Sequence, residues 1–318
     1  MGSMPPHQSG PGKSIPPRPL FTFEDLAWIA YYYPVRWAAR ILGDRFFVNL
    51  RPFVERLYQF ARRGQRQVVA RRMVRLLGIP QKEADTLSRG YVRNSLLASL
   101  FNLWIYTGQR GSRYWTTRIL GLTHLQQELE AGRGVLLVAA HTFAKQQTMF
   151  VLREKGYEVV TIYGEPFSNA HGRLMRNSIK RRTEWLQQRI GYQRAAPSDP
   201  NTILRVAQHL RRGGIVATAS DVAGSVEPVE IPFLKGSRTF ANGAADVARL
   251  TGCSVIPLIS TYREGEHLIE FGKPLVMATE GPREEVRDAN LRKLGTAFEA
   301  QVQRDPDQWE GWIWRNFD

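Results

Sequence analysis

Short apolar runs alternate with longer segments of helical periodicity over most of the chain. Residues 135–140 form an unbroken run of small and branched apolar side chains, which predicts a strand buried on both faces of a sheet. Further strands are predicted at 157–163, 214–219, 254–260 and 267–271, and helices at 83–104, 125–131, 169–190, 200–212, 240–250 and 283–304. This alternation predicts an α/β fold, with a mixed, mostly parallel sheet flanked by helices.

The first third of the chain has a different pattern, in which bulky aromatic side chains interleave with arginines. Between residues 36 and 75, eleven arginines are opposed only by Asp44 and Glu55. A basic helix with aromatic side chains on its other face is typical of a membrane interface, although a helix docked on the core with a solvated basic face gives the same pattern. We therefore expect a disordered tag and leader at 1–18, a helical membrane- or partner-facing region at 19–115, and an α/β core at 116–318.

The composition adds a strong positive charge to this picture. A formal net charge of +15 over 318 residues indicates an anionic partner, such as a membrane surface, an acidic carrier protein or nucleic acid. Nucleic acid is the least favoured of these, because the chain has no zinc-ligand spacing, basic zipper or RNA-binding aromatic motif. The single cysteine, Cys253, fits a reducing compartment. With no secretory signal and no spanning segment, we expect a cytoplasmic protein, peripheral on the inner face of the cell membrane.

The best candidate for chemistry is His141, which follows the apolar run at 135–140 directly. Ligands of open α/β sheets bind at the carboxyl ends of the strands, so this histidine is a candidate general base. A lone histidine is more often structural, and a carboxylate five residues later would favour catalysis by orienting the ring. That position holds Gln146. Glycine-rich phosphate loops and clustered metal ligands are absent from the sequence, so we expect neither a cofactor nor a metal ion.

Several motifs together resemble a known family. His141-x4-Gln146 is similar to the His-x4-Asp/Glu motif of the glycerolipid and lysophospholipid acyltransferase superfamily. Further segments resemble the bacterial branch of this superfamily, the lipid A late acyltransferases (lauroyl and myristoyl transferases). In order and spacing, these segments are 70–80, 132–141, 220–221, 232–240, 255–258 and 308–317.

The resemblance implies an acyltransferase that moves an acyl chain from acyl-coenzyme A or acyl carrier protein to a hydroxyl or amine of a lipid, amphiphilic or carrier-bound acceptor. It implies His141 as the general base, with position 146 beside it. The substrate-binding positions that it suggests are Arg205, Asp221, Phe233, Lys235 and Arg238. Glu165, at the end of the next predicted strand, is a further candidate, although the family often has an arginine there.

Gln146 departs from the family pattern, because an amide cannot stabilise an imidazolium as a carboxylate does. Three explanations are open. Gln146 replaces a natural glutamate and inactivates the enzyme, Glu165 at the end of the next predicted strand supplies the charge, or the protein is a non-catalytic relative that binds lipid or acyl carrier protein.

Overall fold

The computed structural model describes residues 19–43, 49–107, 116–162, 172–190, 193–195, 201–221, 229–263 and 266–314. Within them, a central sheet contains the strands β1 (Thr116–Leu120), β2 (Val135–Ala139), β3 (Val159–Ile162), β4 (Gln193–Ala195), β5 (Ile215–Ala219), β8 (Ser254–Arg263) and β9 (Glu266–Phe271). A separate hairpin consists of β6 (Val229–Phe233) and β7 (Gly236–Phe240). The predicted leader at 1–18 lies outside the described residues.

The sheet is mixed and mostly parallel, with the strand order β1-β9-β8-β2-β5-β3-β4. Strands β8, β2, β5, β3 and β4 run in one direction, while β9 is antiparallel to β8 and parallel to β1. The predicted fold class is therefore confirmed.

Helices precede the sheet and connect its strands. They are α1 (Phe23–Leu42), α2 (Arg51–Ala61), α3 (Arg63–Leu77), α4 (Gln81–Thr107), α5 (Leu122–Glu130), α6 (Lys145–Glu154), α7 (Arg173–Ile190), α8 (Thr202–Arg211), α9 (Gly243–Thr251) and α10 (Arg283–Arg304). Along the described ranges, no helix has the length and apolar content needed to cross a bilayer.

The sheet is buried on both faces. Leu136 and Val138 of β2 lie in one core cluster with residues of α3, α4, α9 and α10, whereas Val135 and Leu137 lie in a second cluster with residues of α5 and α6. All four side chains are fully buried, as the unbroken apolar run predicts. Because α3 and α4 contribute buried residues to the first cluster, these two helices and the sheet share one hydrophobic core.

Strands β1 and β4 and the hairpin were not predicted from the sequence. Strand β1 is mostly exposed at the sheet edge, so its side chains carry little of the apolar pattern that marks a strand. The hairpin turn places Leu234 at φ 55°, where glycine or asparagine is the usual signal. The predicted helix at 240–250 was wrong at its start, because Phe240 ends β7 and helix α9 begins at Gly243.

The register of the sheet places two polar residues side by side. Ala139 of β2 is paired with Ala219 of β5, and the two strands are parallel. His141 and Asp221 each follow the paired alanine of their strand by two residues. The parallel pairing therefore brings both to the carboxyl edge of the sheet, although 80 residues separate them in the chain.

Candidate active site

A histidine–aspartate pair lies at this edge. The Nδ1 atom of His141 lies 2.5 Å from Oδ1 of Asp221, and the main-chain N–H of His141 donates to Oδ2 over 2.9 Å. Two donors of one residue thus engage both oxygens of one carboxylate. Because Oδ1 accepts a hydrogen bond from Nδ1–H, the geometry favours the tautomer in which Nε2 is unprotonated and has a free lone pair.

The C-terminal segment of the described chain forms a wall of this site. It includes two short 3₁₀ helices, Pro306–Gln308 and Glu310–Ile313. The indole Nε1–H of Trp309, which lies between them, donates to Oδ2 of Asp221 over 2.7 Å. Trp314 packs edge-on against the His141 ring, with 4.9 Å between ring centroids. This aromatic wall confines both members of the pair.

Main-chain bonds attach that segment to the loop after β2. The N–H of Glu310 donates to the carbonyl of His141 over 2.8 Å, and Thr142 forms an isolated β-bridge with Trp309. The Glu310 carboxylate also pairs with the ammonium group of Lys145, at the start of α6. The backbone on either side of the histidine ring is therefore held by elements distant in sequence.

A buried arginine supports the aspartate from the other side. Arg238 of β7 is 1% exposed, and its Nε and Nη2 atoms donate to the main-chain carbonyl of Asp221 over 2.9 and 2.5 Å. Its guanidinium lies 4.7 Å from the ring centroid of Trp309 and 5.1 Å from that of Trp314, distances typical of cation–π contacts. This cation links the hairpin to both tryptophans and to the aspartate backbone.

A second arginine anchors the wall to the N-terminal helices. Nη1 of Arg72, on α3, donates to the carbonyls of Trp312 and Trp314, each over 2.6 Å. Burial lowers the pKa of Arg238 to about 10; the Asp221 carboxylate opposes that shift, and the positive charge of Arg72 adds to it. At neutral pH Arg238 therefore remains cationic.

Asp221 remains ionised although its carboxylate is fully buried. Burial by itself raises the pKa of this carboxyl, but His141, the Arg238 charge and the Trp309 N–H bond together outweigh burial and lower the pKa to about 2. A buried carboxylate is stable only with such partners. The aspartate is therefore a fixed negative charge throughout the pH range in which the histidine could work as a base.

The histidine ring itself is reachable. The side chain of His141 is 21% exposed, whereas that of Asp221 is 0% exposed. A ring enclosed in packed hydrocarbon could not take a proton from an incoming nucleophile. A buried carboxylate, an oriented imidazole and partial exposure are the features that a general base requires.

The other predicted site residues lie in different settings. Residue 146 is on the first turn of α6, and Glu165 lies outside the described residues. Arg205 is exposed near the start of α8, and Lys235 is exposed in the hairpin turn, where its N–H donates to the carbonyl of Leu76. Phe233 is 1% exposed and packs against Phe240 and Trp309. Of the predicted residues, the structure brings His141, Asp221 and Arg238 together.

Trp309, Trp314 and Arg72 were not predicted as site residues. Trp309 and Trp314 lie in the stretch 308–317 that carries the resemblance, but nothing in the sequence places that stretch beside His141. Across the part of the chain that the structure describes, no three or more His, Cys, Asp or Glu side chains are grouped in a way that could hold a metal ion.

Comparison with known proteins bears on this geometry. A search of curated proteins gave no match to this chain. Residues 28–318 match the family model described as "Bacterial lipid A biosynthesis acyltransferase". The match covers nearly the whole chain, including both strands that end in the His141–Asp221 pair, the hairpin and the aromatic wall. The chain therefore belongs to the bacterial lipid A biosynthesis acyltransferase family.

Proposed function

We propose that this protein is an active acyltransferase whose base is the His141–Asp221 pair. The substrates are an acyl thioester, from coenzyme A or acyl carrier protein, and a hydroxyl or amine of an amphiphilic acceptor. The observation that carries the proposal is the 2.5 Å contact between His141 and a buried carboxylate at the carboxyl edge of the sheet. This contact supplies the orienting charge that position 146 lacks.

In the proposed reaction, Nε2 of His141 takes the proton from the acceptor hydroxyl or amine as that atom attacks the thioester carbonyl. The new C–O or C–N bond forms a tetrahedral intermediate. The C–S bond then breaks, and the thiolate leaves with the proton that His141 returns. Asp221 stays ionised throughout and stabilises the transient imidazolium, as the buried aspartate of a Ser-His-Asp triad does.

This proposal changes the interpretation of Gln146. If Asp221 supplies the carboxylate, Gln146 does not inactivate the enzyme, and neither an engineered glutamate replacement nor a contribution from Glu165 is needed. The competing proposal is a non-catalytic relative that binds lipid or acyl carrier protein, and the amide at position 146 is what favours it.

One experiment separates the two proposals. The protein, its His141→Ala variant and its Gln146→Glu variant are incubated with lipid acceptors and with acyl-coenzyme A or acyl carrier protein in separate reactions. Intact-mass analysis then measures acyl transfer. We expect transfer by the unaltered chain, its loss in His141→Ala, and no more than about a threefold change in Gln146→Glu. No transfer by any of the three chains would instead support the non-catalytic relative, and transfer only after Gln146→Glu would support inactivation of the enzyme by Gln146.

We further propose that α1 and α2 place the enzyme on an anionic membrane surface. Each helix presents a row of exposed apolar side chains at helical spacing: Leu26, Tyr33, Trp37 and Ile41 on α1, and Phe53, Leu57 and Phe60 on α2. Exposed arginines accompany them at Arg56, Arg62, Arg63, Arg71 and Arg75. Apolar insertion combined with attraction to anionic headgroups is how interfacial helices bind.

Vesicle sedimentation tests this surface. Trp37→Ser and Phe60→Ser together should weaken binding to phosphatidylglycerol-containing vesicles by about tenfold or more, since each aromatic side chain contributes on the order of 1–2 kcal/mol on burial. Val276→Ser is the matched control, because Val276 is 83% exposed and lies far along the chain from α1 and α2. Equal binding by all variants would contradict the proposal.

A further inference from the structure

The indole of Trp309 is the feature of this site that the proposed reaction does not yet use. We propose that Trp309 is a positioning residue, whose N–H fixes the Asp221 carboxylate in the orientation that keeps Nε2 of His141 unprotonated. This inference rests on the proposed function, in which His141 is the base. It assigns the C-terminal segment a part in catalysis beyond packing.

The argument starts from the donors around the carboxylate. Oδ1 of Asp221 accepts from Nδ1 of His141, and Oδ2 accepts from the main-chain N–H of His141 over 2.9 Å and from Nε1 of Trp309 over 2.7 Å. Among the described residues, Trp309 is therefore the one residue besides His141 that donates a hydrogen bond to the Asp221 carboxylate. Arg238 reaches the main-chain carbonyl of Asp221, so it does not set the rotation of the carboxylate.

Held at Oδ2 by the His141 main-chain N–H alone, the carboxylate could pivot about that one bond and turn Oδ1 away from Nδ1. The Trp309 N–H is a second donor to Oδ2 and fixes the plane of the carboxylate, so that Oδ1 stays directed at Nδ1 of the ring. The indole is thus placed to define the ring orientation through the aspartate, although it is itself only 1% exposed.

The indole is itself held in place on several sides. Its ring centroid lies 5.5 Å from that of Phe233 and 5.0 Å from that of Trp312. Gly311 permits this packing, because a Cβ atom there would lie 2.3 Å from Cζ2 of Trp309. Real Cβ atoms essentially never approach that closely, so only glycine fits without displacing the ring.

The charges around the pair come from four elements. They are the cations of Arg238 on β7, Arg72 on α3 and Lys145 on α6, and the carboxylate of Glu310 in the second 3₁₀ helix. Trp309→Phe leaves all four in place and removes one N–H donor. More negative charge then remains on the Asp221 carboxylate, which favours the imidazolium form of His141. The acid limb of the kcat/KM profile should therefore move to higher pH.

The test compares Trp309→Phe with Trp312→Phe. Trp312 is a matched control because it is 0% exposed and its Nε1 donates to the carbonyl of Pro306 over 2.6 Å, so its variant also loses one buried bond and part of one ring. We expect Trp309→Phe to lower kcat by about tenfold to a hundredfold, the worth of a hydrogen bond to a charged group. KM for the acyl donor should stay within about twofold, and the acid limb should rise.

Trp312→Phe should lower thermal stability by about as much as Trp309→Phe does, but it should leave the acid limb of the kcat/KM profile unchanged. An acid limb that stays in place in Trp309→Phe, or moves equally in both variants, would overturn the inference while leaving the proposed reaction intact. A second measurement needs no substrate. ¹⁵N nuclear magnetic resonance of the labelled His141 ring should show the Nδ1-protonated tautomer in the unaltered chain and in Trp312→Phe, and a mixture in Trp309→Phe. One unmixed tautomer in all three would equally overturn it.

Discussion

Replacing Asp221 by asparagine removes the charge of the pair with almost no change of shape. The amide oxygen will occupy the Oδ2 position, because two N–H donors point there, from the His141 main chain and from Trp309. The amide NH₂ group then faces Nδ1 of His141, which must accept rather than donate. The ring proton moves to Nε2, and the base is lost.

The expected magnitude follows from the geometry. With charge centres about 4 Å apart and an effective dielectric constant of about 20, the carboxylate stabilises an imidazolium by about 4 kcal/mol. That corresponds to about 10³-fold in rate, and the wrong tautomer brings the loss in kcat towards about 10⁴-fold.

The assay is single-turnover acyl transfer, followed by mass spectrometry of the acceptor, with circular dichroism confirming that Asp221→Asn is folded. The matched control is Asp246→Asn, because Asp246 lies on α9 and pairs with Arg287, away from the site. The control should transfer at the rate of the unaltered chain. If Asp221→Asn transferred within tenfold of that rate, the reasoning from the buried carboxylate would be refuted.

Three further predictions concern the surroundings of the site. Burial lowers the pKa of His267 from 6.5 to about 4. Between these pH values the unfolded chain therefore binds more protons at His267 than the folded chain does. The free energy of unfolding should fall by on the order of 3 kcal/mol as pH drops from 6.5 to 4. Urea unfolding at several pH values should show that slope, and His267→Gln should lack it. Gly311→Ala should reduce transfer by displacing Trp309, whereas Gly243→Ala, with no atom within 4 Å of its added Cβ, should leave transfer unchanged. Gln308→Ala deprives a buried main-chain N–H and C=O of β8 of their partner, and calorimetry should show about 2–4 kcal/mol of destabilisation. A loss below about 0.5 kcal/mol would contradict that account.

Much of the sheet follows from the sequence because its inner strands are buried on both faces. An unbroken apolar run such as 135–140 is a strong local signal, and a polar residue directly after it marks the ligand-binding edge. The position of His141 was therefore predictable. Strand β1 and the hairpin carry no such signal, since one is exposed and the other turns at a leucine.

The partner of the histidine was not predictable in the same way. Sequence reasoning looked for a carboxylate on the next helical turn, at position 146, or at the end of the next strand, at Glu165. The contact instead depends on β5 lying beside β2 in the sheet, and on the register that pairs Ala139 with Ala219. Strand order and register result from packing of the whole chain, so they leave no local signal.

The aromatic wall is the third contribution to the site, and it comes from the other end of the chain. Trp309 and Trp314 reach the pair because 3₁₀ helices turn the chain back over the sheet edge, where Arg72 donates to the carbonyls of Trp312 and Trp314. A motif near the C-terminus indicated that these residues matter to the family, but only the three-dimensional contacts connect them with His141.

The central claim is that one imidazole, oriented by Asp221, takes the proton of the acyl acceptor. Single-turnover transfer from an acyl thioester to a lipid acceptor by His141→Ala, measured beside the unaltered chain by intact mass, tests it most directly. We predict a loss of at least about 10³-fold with the fold retained. Transfer by His141→Ala at the rate of the unaltered protein would contradict the account.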